Sequence, residues 1–304
     1  MLYYLKYGNR EVTALKDYIL LTDSSCDLSA ALANELELEV LPLSVLMGDK
    51  EYANYLDERE ITFHDFFERI RQGAEAKTSA VNSETFRETM KKFLDAGQDV
   101  LYIGFSSGLS ATYSAGETAA AALREEYPDR KILTVDSLCA SGGQGLLLYL
   151  AAKERLAGKS IEEVNNFAEA TKLHVCHWFT VDDLHHLRRG GRVSGASAVI
   201  GTLLKIKPVL HVDDEGKLIK MEQVKGRKAS LLALLEQMKA TVTNPEEQVV
   251  FINHGDCLAD AELLADSIRK ALPVKEIIIH FIGPVIGAHT GAGVVALFFL
   301  GSKR

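Results

Sequence analysis

Cysteine is scarce in this chain and is never spaced for pairing. The four present, Cys26, Cys139, Cys176 and Cys257, form no C-x-x-C motif. That pattern argues against a disulfide framework or a thiolate zinc site, and predicts buried thiols in a reducing cytoplasm. Long apolar runs are also missing. Beyond the interruption at Gly293, the longest covers residues 294–300, far below the roughly 20 residues that span a bilayer. The N-terminal MLYYLKYGNREV has no signal-peptide core, so a soluble, cytoplasmic protein is expected. Basic charge is in the minority. Against 42 Asp and Glu there are 34 Lys and Arg, for a net charge of −8, and no basic run exceeds Arg188-Arg189. Nucleic-acid binding needs a concentrated cationic face, and no such partner is expected.

What is present describes a folded globular chain. Hydrophobic residues are 47% and charged residues 25% of 304, ordinary proportions, and the length suits two domains of about 150 residues each. The first half repeats strand, polar turn and helix. Residues 18–21 form an apolar strand entering TDSSCDLS, followed by a helix pattern over 30–36 and a second strand over 38–46. Thr62-Phe63-His64-Asp65 has the form of a capping box and opens a helix through Phe66, Phe67 and Ile70. KTSAVNS leads into a helix with Phe86, Met90, Phe93 and Leu94 on one face. A strand over 100–105, an SSG turn and a helix over 116–127 follow, then a strand over 132–135 ending in Asp136-Ser137. Such units in series predict a parallel sheet flanked by helices, with ligands at the carboxyl ends of its strands. The TDSS, KTSA, SSGLS and VDS turns would then share one rim.

A domain boundary is expected at 159/160, where Ser160-Ile161-Glu162-Glu163 caps a new helix. It divides the chain into an N-terminal α/β domain, 1–159, and a C-terminal α+β domain, 160–304. The second part reads as a strand over 174–181, a short helix, the loop from Arg188 to Arg192 and a further helix. A hairpin of 208–212 with 218–224 turns around Asp213-Asp214-Glu215-Gly216. Two helix–strand pairs close the chain, with the glycine-rich loop IGPVIGAHTGAG before the last strand, and the sheet is expected to be mixed.

Candidate chemistry centres on Gly104-Phe105-Ser106-Ser107-Gly108, which satisfies the G-x-S-x-G of a nucleophile elbow. Read that way, Ser106 attacks acyl esters with His289 as its base and an acid such as Asp256 behind it. No H-G-G-G oxyanion loop precedes it. Read otherwise, Ser106, Ser107 and Ser110 offer hydroxyls to an anion at a helix N-terminus, and Gly108 lets the ligand approach the backbone. Thr78 and Ser79 are expected to open another helix in the same way. Neither turn carries an acid, which suits a carboxylate or phosphate. Spacing does not choose among the three serines.

Asp23 and Asp27 read as caps. His174 with His177, and His185 with His186, diverge too far to share an ion, so no metal and no cofactor is expected. His289, between Gly287 and Gly291, can reach a ligand from a loop, act as a base, or accept a phosphoryl group. Arg188, Arg189 and Arg192 suit a phosphate or an acidic partner.

TDSSCDL, KTSAVN, GFSSGLSATYSAG, VDS, LRRGGRVS, IKPVLHVDDEGKL and GAHTGAG occur in order, and with them the chain from about Tyr18 onward resembles the DegV family of bacterial fatty-acid-binding proteins. The resemblance implies two α/β domains with a lipid buried between them. It also implies a protein that is not itself an enzyme but the binding subunit of a fatty acid kinase. Such a subunit presents a long-chain fatty acid to a separate kinase, which makes the acyl phosphate for phospholipid synthesis, with at most peripheral or transient membrane contact. Carried over, the carboxylate site is Thr78 and Ser79, a serine among Ser106, Ser107 and Ser110 with Gly108, and His289. Arg188 and Arg192 would face the kinase or the phosphate. TSAVN, SATY and HTGAG depart from the family's usual TSQPS-like, SGTY and HxGPG forms, the last being expected to loosen the loop around His289.

Overall fold

The computed structural model describes residues 17–182, 184–193 and 206–304. Residues 1–16, and the helix expected after Arg192, fall outside these residues.

Two sheets organise the chain. The first is parallel, in the order β2-β1-β6-β7, built from β1 (Tyr18–Asp23), β2 (Leu38–Leu41), β6 (Asp99–Gly104) and β7 (Ile132–Asp136). Every residue of β1 is buried, as its unbroken apolar run requires for a strand covered on both faces. The expected strand over 38–46 is two strands in two sheets. Pro42, which has no N–H to donate, separates β2 from β3 (Ser44–Met47). β3 instead joins β4 (Lys50–Ala53) and β5 (Ala76–Ser79) in a small antiparallel sheet.

The helices of this half start where side chains satisfy their first N–H groups. Ser29 caps α1 (Ala30–Glu35), Thr62 caps α2 (Phe63–Arg71), and Asn82 caps α3 (Ser83–Asp95). Thr78 and Ser79 therefore end a strand instead of opening a helix, because Asn82, four residues beyond Thr78, takes the capping role. α4 (Thr112–Glu126) begins earlier than residue 116, directly behind the serine loop.

α5 (Gly142–Leu156) lies against the second sheet, whereas α6 (Ile161–Thr171), opened by a complete Ser160–Glu163 capping box, returns to β6, β7 and α5. The second sheet is mixed, in the order β10-β9-β8-β13-β11-β12. Its strands are β8 (Val175–Thr180), β9 (Ile206–Val212), β10 (Leu218–Lys225), β11 (Val249–His254), β12 (Glu276–Phe281) and β13 (Val295–Leu300). Only β11 and β12 pair in parallel. Arg188 and Arg189 finish a short helix, α7 (His185–Arg189). On the outer face, α8 (Arg227–Thr241) and α9 (Leu258–Ala271) cover a separate apolar core. On the inner face, α5 and the first half share one continuous core with the sheet. The expected glycine-rich loop contains a helix, α10 (Pro284–Thr290), packed on α2, α7, β3 and β5.

Candidate ligand-binding site

A cavity of about 280 Å³ opens where the inner face of the second sheet meets the first half. Its walls are mostly apolar, from Leu43, Phe105 and Leu109 on one side to Phe179, Val212, Leu218, Ala296 and Phe298 on the other. Such a lining with a few fixed polar groups is the usual make-up of a small-molecule site.

The polar groups come from segments far apart in sequence. Thr78, at the end of β5, reaches the cavity because β5 pairs with β3 and lies under α10. Its Oγ1 is 2.9 Å from Nε2 of His289, in the last turn of α10. Burial pulls the His289 pKa down to about 4, with Arg192 and Arg189 reinforcing the shift, so the imidazole is neutral at neutral pH. Its Nδ1 is buried with no hydrogen-bond partner among the described residues. Ser79, Ser110 and Arg192 also line the cavity. Arg192 is fixed by donating to the carbonyls of Leu109 and Gly190. Arg188 is exposed at the end of α7 and lies outside the lining.

The serine loop divides. Ser110 lines the cavity and shares a hydrogen bond with Thr112. Ser106, Ser107 and Gly108 do not. The Ser106 hydroxyl is fully buried, donates to the Gly216 carbonyl at 2.8 Å and accepts the Gly108 N–H. Ser107 is exposed, and its N–H goes to Asp136. Gly108 is pressed against the carbonyls of Glu215 and Gly216, where an added Cβ would lie 2.6 Å from the Glu215 oxygen. Ser106 and Gly108 thus fasten the β9–β10 hairpin, whose Val212 and Leu218 form one cavity wall. No hydrogen bond joins Ser106 to His289 among the described residues, since Gly216 takes one hydroxyl and Thr78 the imidazole. The nucleophile–base pair of a hydrolase is therefore not assembled.

Asp23 and Asp27 are internal caps. Asp23 accepts from Ser25, Tyr102 and the Phe105 N–H, and Asp27 from Ser141 and the Gly283 N–H. Burial raises both carboxyl pKa values, that of Asp27 to about 7. Among the described residues no group of three or more metal-binding side chains gathers, and no helix is long and apolar enough to cross a membrane.

Three polar lining residues were not expected at a ligand site: Ser141, Thr290, and His177, which the sequence raised only as a metal ligand. The available signal was the glycine run Gly142-Gly143-Gln144-Gly145, which lets α5 approach the strand that carries His177.

The family model of DegV proteins matches residues 19–302. A DegV domain-containing protein of Clostridium perfringens is 44% identical over 95% of this chain and 99% of its own length. The fold is similar to a crystal structure of a DegV lipid-binding protein from Thermotoga maritima, 29% identical over 95% of this chain and 99% of that one, with a TM-score of 0.83. It is equally similar, at 30% identity over 94% of this chain and 99% of the other, to a fatty-acid-binding DegV family protein from Thermus thermophilus, again with a TM-score of 0.83. The chain, with its parallel first sheet, mixed second sheet and cavity between them, belongs to the DegV family.

Proposed function

We propose that the protein binds a long-chain fatty acid in the cavity between its sheets and presents the carboxylate to a separate kinase for conversion to an acyl phosphate. One observation carries this reading: an apolar cavity is edged by Thr78, Ser79, Ser110, Arg192 and a neutral His289 hydrogen-bonded to Thr78. Hydroxyls, an imidazole N–H and a guanidinium are donors suited to a carboxylate. The tail supplies the affinity, at about 0.8 kcal/mol for each buried CH₂, and the polar edge sets the orientation. The similar Thermotoga and Thermus proteins, described as lipid-binding and fatty-acid-binding, support the same ligand class. With Ser106 committed to Gly216, the protein acts as a carrier without chemistry of its own. It works in the cytoplasm, upstream of phospholipid synthesis, with transient membrane contact. Arg188 and Arg192 face the kinase.

The test is extraction. Protein purified from a bacterial host, denatured and extracted, yields about one fatty acid per chain by mass spectrometry; an empty extract overturns the reading. Loaded protein mixed with a bacterial fatty acid kinase and ATP then yields acyl phosphate. Retained, unmodified lipid in that assay would remove the kinase step.

A further inference from the structure

The six-stranded sheet has two edges, and they are built differently. β10, on one edge, exposes Lys220, Glu222 and Lys225, and its register shifts between Lys220 and Glu222. Edge charges and broken register are the usual guards against pairing with another chain. β12, on the other edge, reads Glu-Ile-Ile-Ile-His-Phe and keeps unbroken parallel register with β11 from Glu276 to Phe281. No described strand pairs with its outer side, and Ile277 to Phe281 are only half-buried.

Pairing with β11 fixes which way each backbone group of β12 points. Glu276 and Ile282 donate their N–H groups to the carbonyls of Gln248 and His254. By alternation, Ile277, Ile279 and Phe281 turn their N–H and C=O groups outward. The side chains of Ile277 and Ile279 pack on the outer core and that of Ile278 on the inner one. Glu276 and His280 flank Ile278 on its own face. Glu276 is exposed, and His280 is half-buried beside Phe63 and Phe281. Of the His280 ring nitrogens, Nε2 is the enclosed one, which leaves Nδ1 for a partner.

We propose that β12 pairs antiparallel with β12 of a second copy of this chain, joining two six-stranded sheets across a twofold axis at Ile278. In that register Ile277 lies opposite the partner's Ile279, and their outward groups exchange both backbone hydrogen bonds. Ile278 meets the partner's Ile278 in the closer, non-hydrogen-bonded position. Glu276 meets the partner's His280, and the symmetry makes that acid–imidazole pair twice. An axis at Ile279 would keep the backbone bonds but set Glu276 against Ile282. Charge complementarity therefore selects both the second copy and its register.

Analytical ultracentrifugation of the full chain over a micromolar concentration series tests this. The unmodified protein dimerises reversibly; a monomer at every concentration overturns the proposal. Glu276→Lys removes both acid–imidazole pairs from an exposed position and weakens the dimer about tenfold. In Ile278→Cys the introduced thiols face each other across the axis, at the Cα separation of about 4.5 Å that a disulfide spans, and oxidation cross-links the dimer. Ile277→Cys, opposite Ile279 and not itself, stays unlinked. A dimer of undiminished affinity in Glu276→Lys places the contact elsewhere, and overturns the proposal even if neither cysteine variant folds. Cross-linking through Ile277→Cys in place of Ile278→Cys overturns it as well.

Discussion

Thr78-Ser79 and Ser106-Ser107 are near twins as sequence, each a pair of small hydroxyl residues shortly before a helix. In the structure they part company. Thr78 and Ser79 line the cavity, and Thr78 is bound to an imidazole that can share it with a ligand. Ser106 is claimed by a backbone carbonyl of the β9–β10 hairpin, and Ser107 faces solvent. A hydroxyl's role depends on which acceptor reaches it first, and a buried carbonyl is a competitor that leaves nothing for a ligand. The first pair edges the cavity, while in the second Ser106 ties the hairpin that forms one cavity wall.

The harshest test of this contrast is Gly216→Val. Gly216 has φ +72°, and an added Cβ would lie 2.1 Å from the Ser106 Oγ and 3.1 Å from Leu138. Backbone strain and the clash together cost about 3 kcal/mol or more in urea denaturation. A loss below about 1 kcal/mol would mean that the hairpin is not fastened here. Ser106→Ala leaves the Gly216 carbonyl without its donor and costs about 1–3 kcal/mol of stability. An ester hydrolysis present in the unmodified protein and absent from this variant would revive the nucleophile.

His289→Ala acts on the other member of the comparison. Fatty-acid retention falls about tenfold, equivalent to about 1.4 kcal/mol, with little change in melting temperature. Retention at the original level would take His289 out of the site.

Acid gives a graded effect. Burial pulls His289 and His280 down to about 4 from 6.5, and lowers His177, His211 and His254 as well. The unfolded chain therefore binds more protons between these values. The stability contributed by neutral histidines is complete above pH 6.5 and is lost as pH falls toward 4. Asp23 and Asp27, both raised, work in the opposite direction but are fewer. Each net proton taken up only by the unfolded chain costs about 1.4 kcal/mol per pH unit, so stability should fall on acidification below neutrality, seen as a lower urea midpoint; a flat profile would contradict the burial of these rings. Ser107→Ala is the smallest case, with lipid retention and stability both unchanged. A drop in retention would return Ser107 to the ligand.

Local features were legible where local physics decides them. Ser160 and Thr62 announce their helices because a capping hydroxyl needs only its own next three residues. The β9–β10 hairpin follows from alternation around a glycine-bearing turn. The glycine-rich segment before the last strand misleads for the opposite reason. Gly287 suggests a loop, yet it sits within α10, where an added Cβ would lie 2.8 Å from the rings of Phe66 and Phe67. Its small size serves a close approach to α2, a partner more than two hundred residues away.

The order of motifs along this chain determined its family resemblance, its alternation of strands and helices, and the pool of hydroxyls, histidines and arginines near any ligand. Capping, periodicity and turn chemistry act over a few residues, so one sequence suffices to read them. Only the tertiary structure decided that Ser110 lines the cavity while Ser106 does not, and that Thr78 meets His289. Each of these depends on which distant backbone group arrives to satisfy or strand a polar atom. For the G-x-S-x-G serine that partner is Gly216, 110 residues downstream.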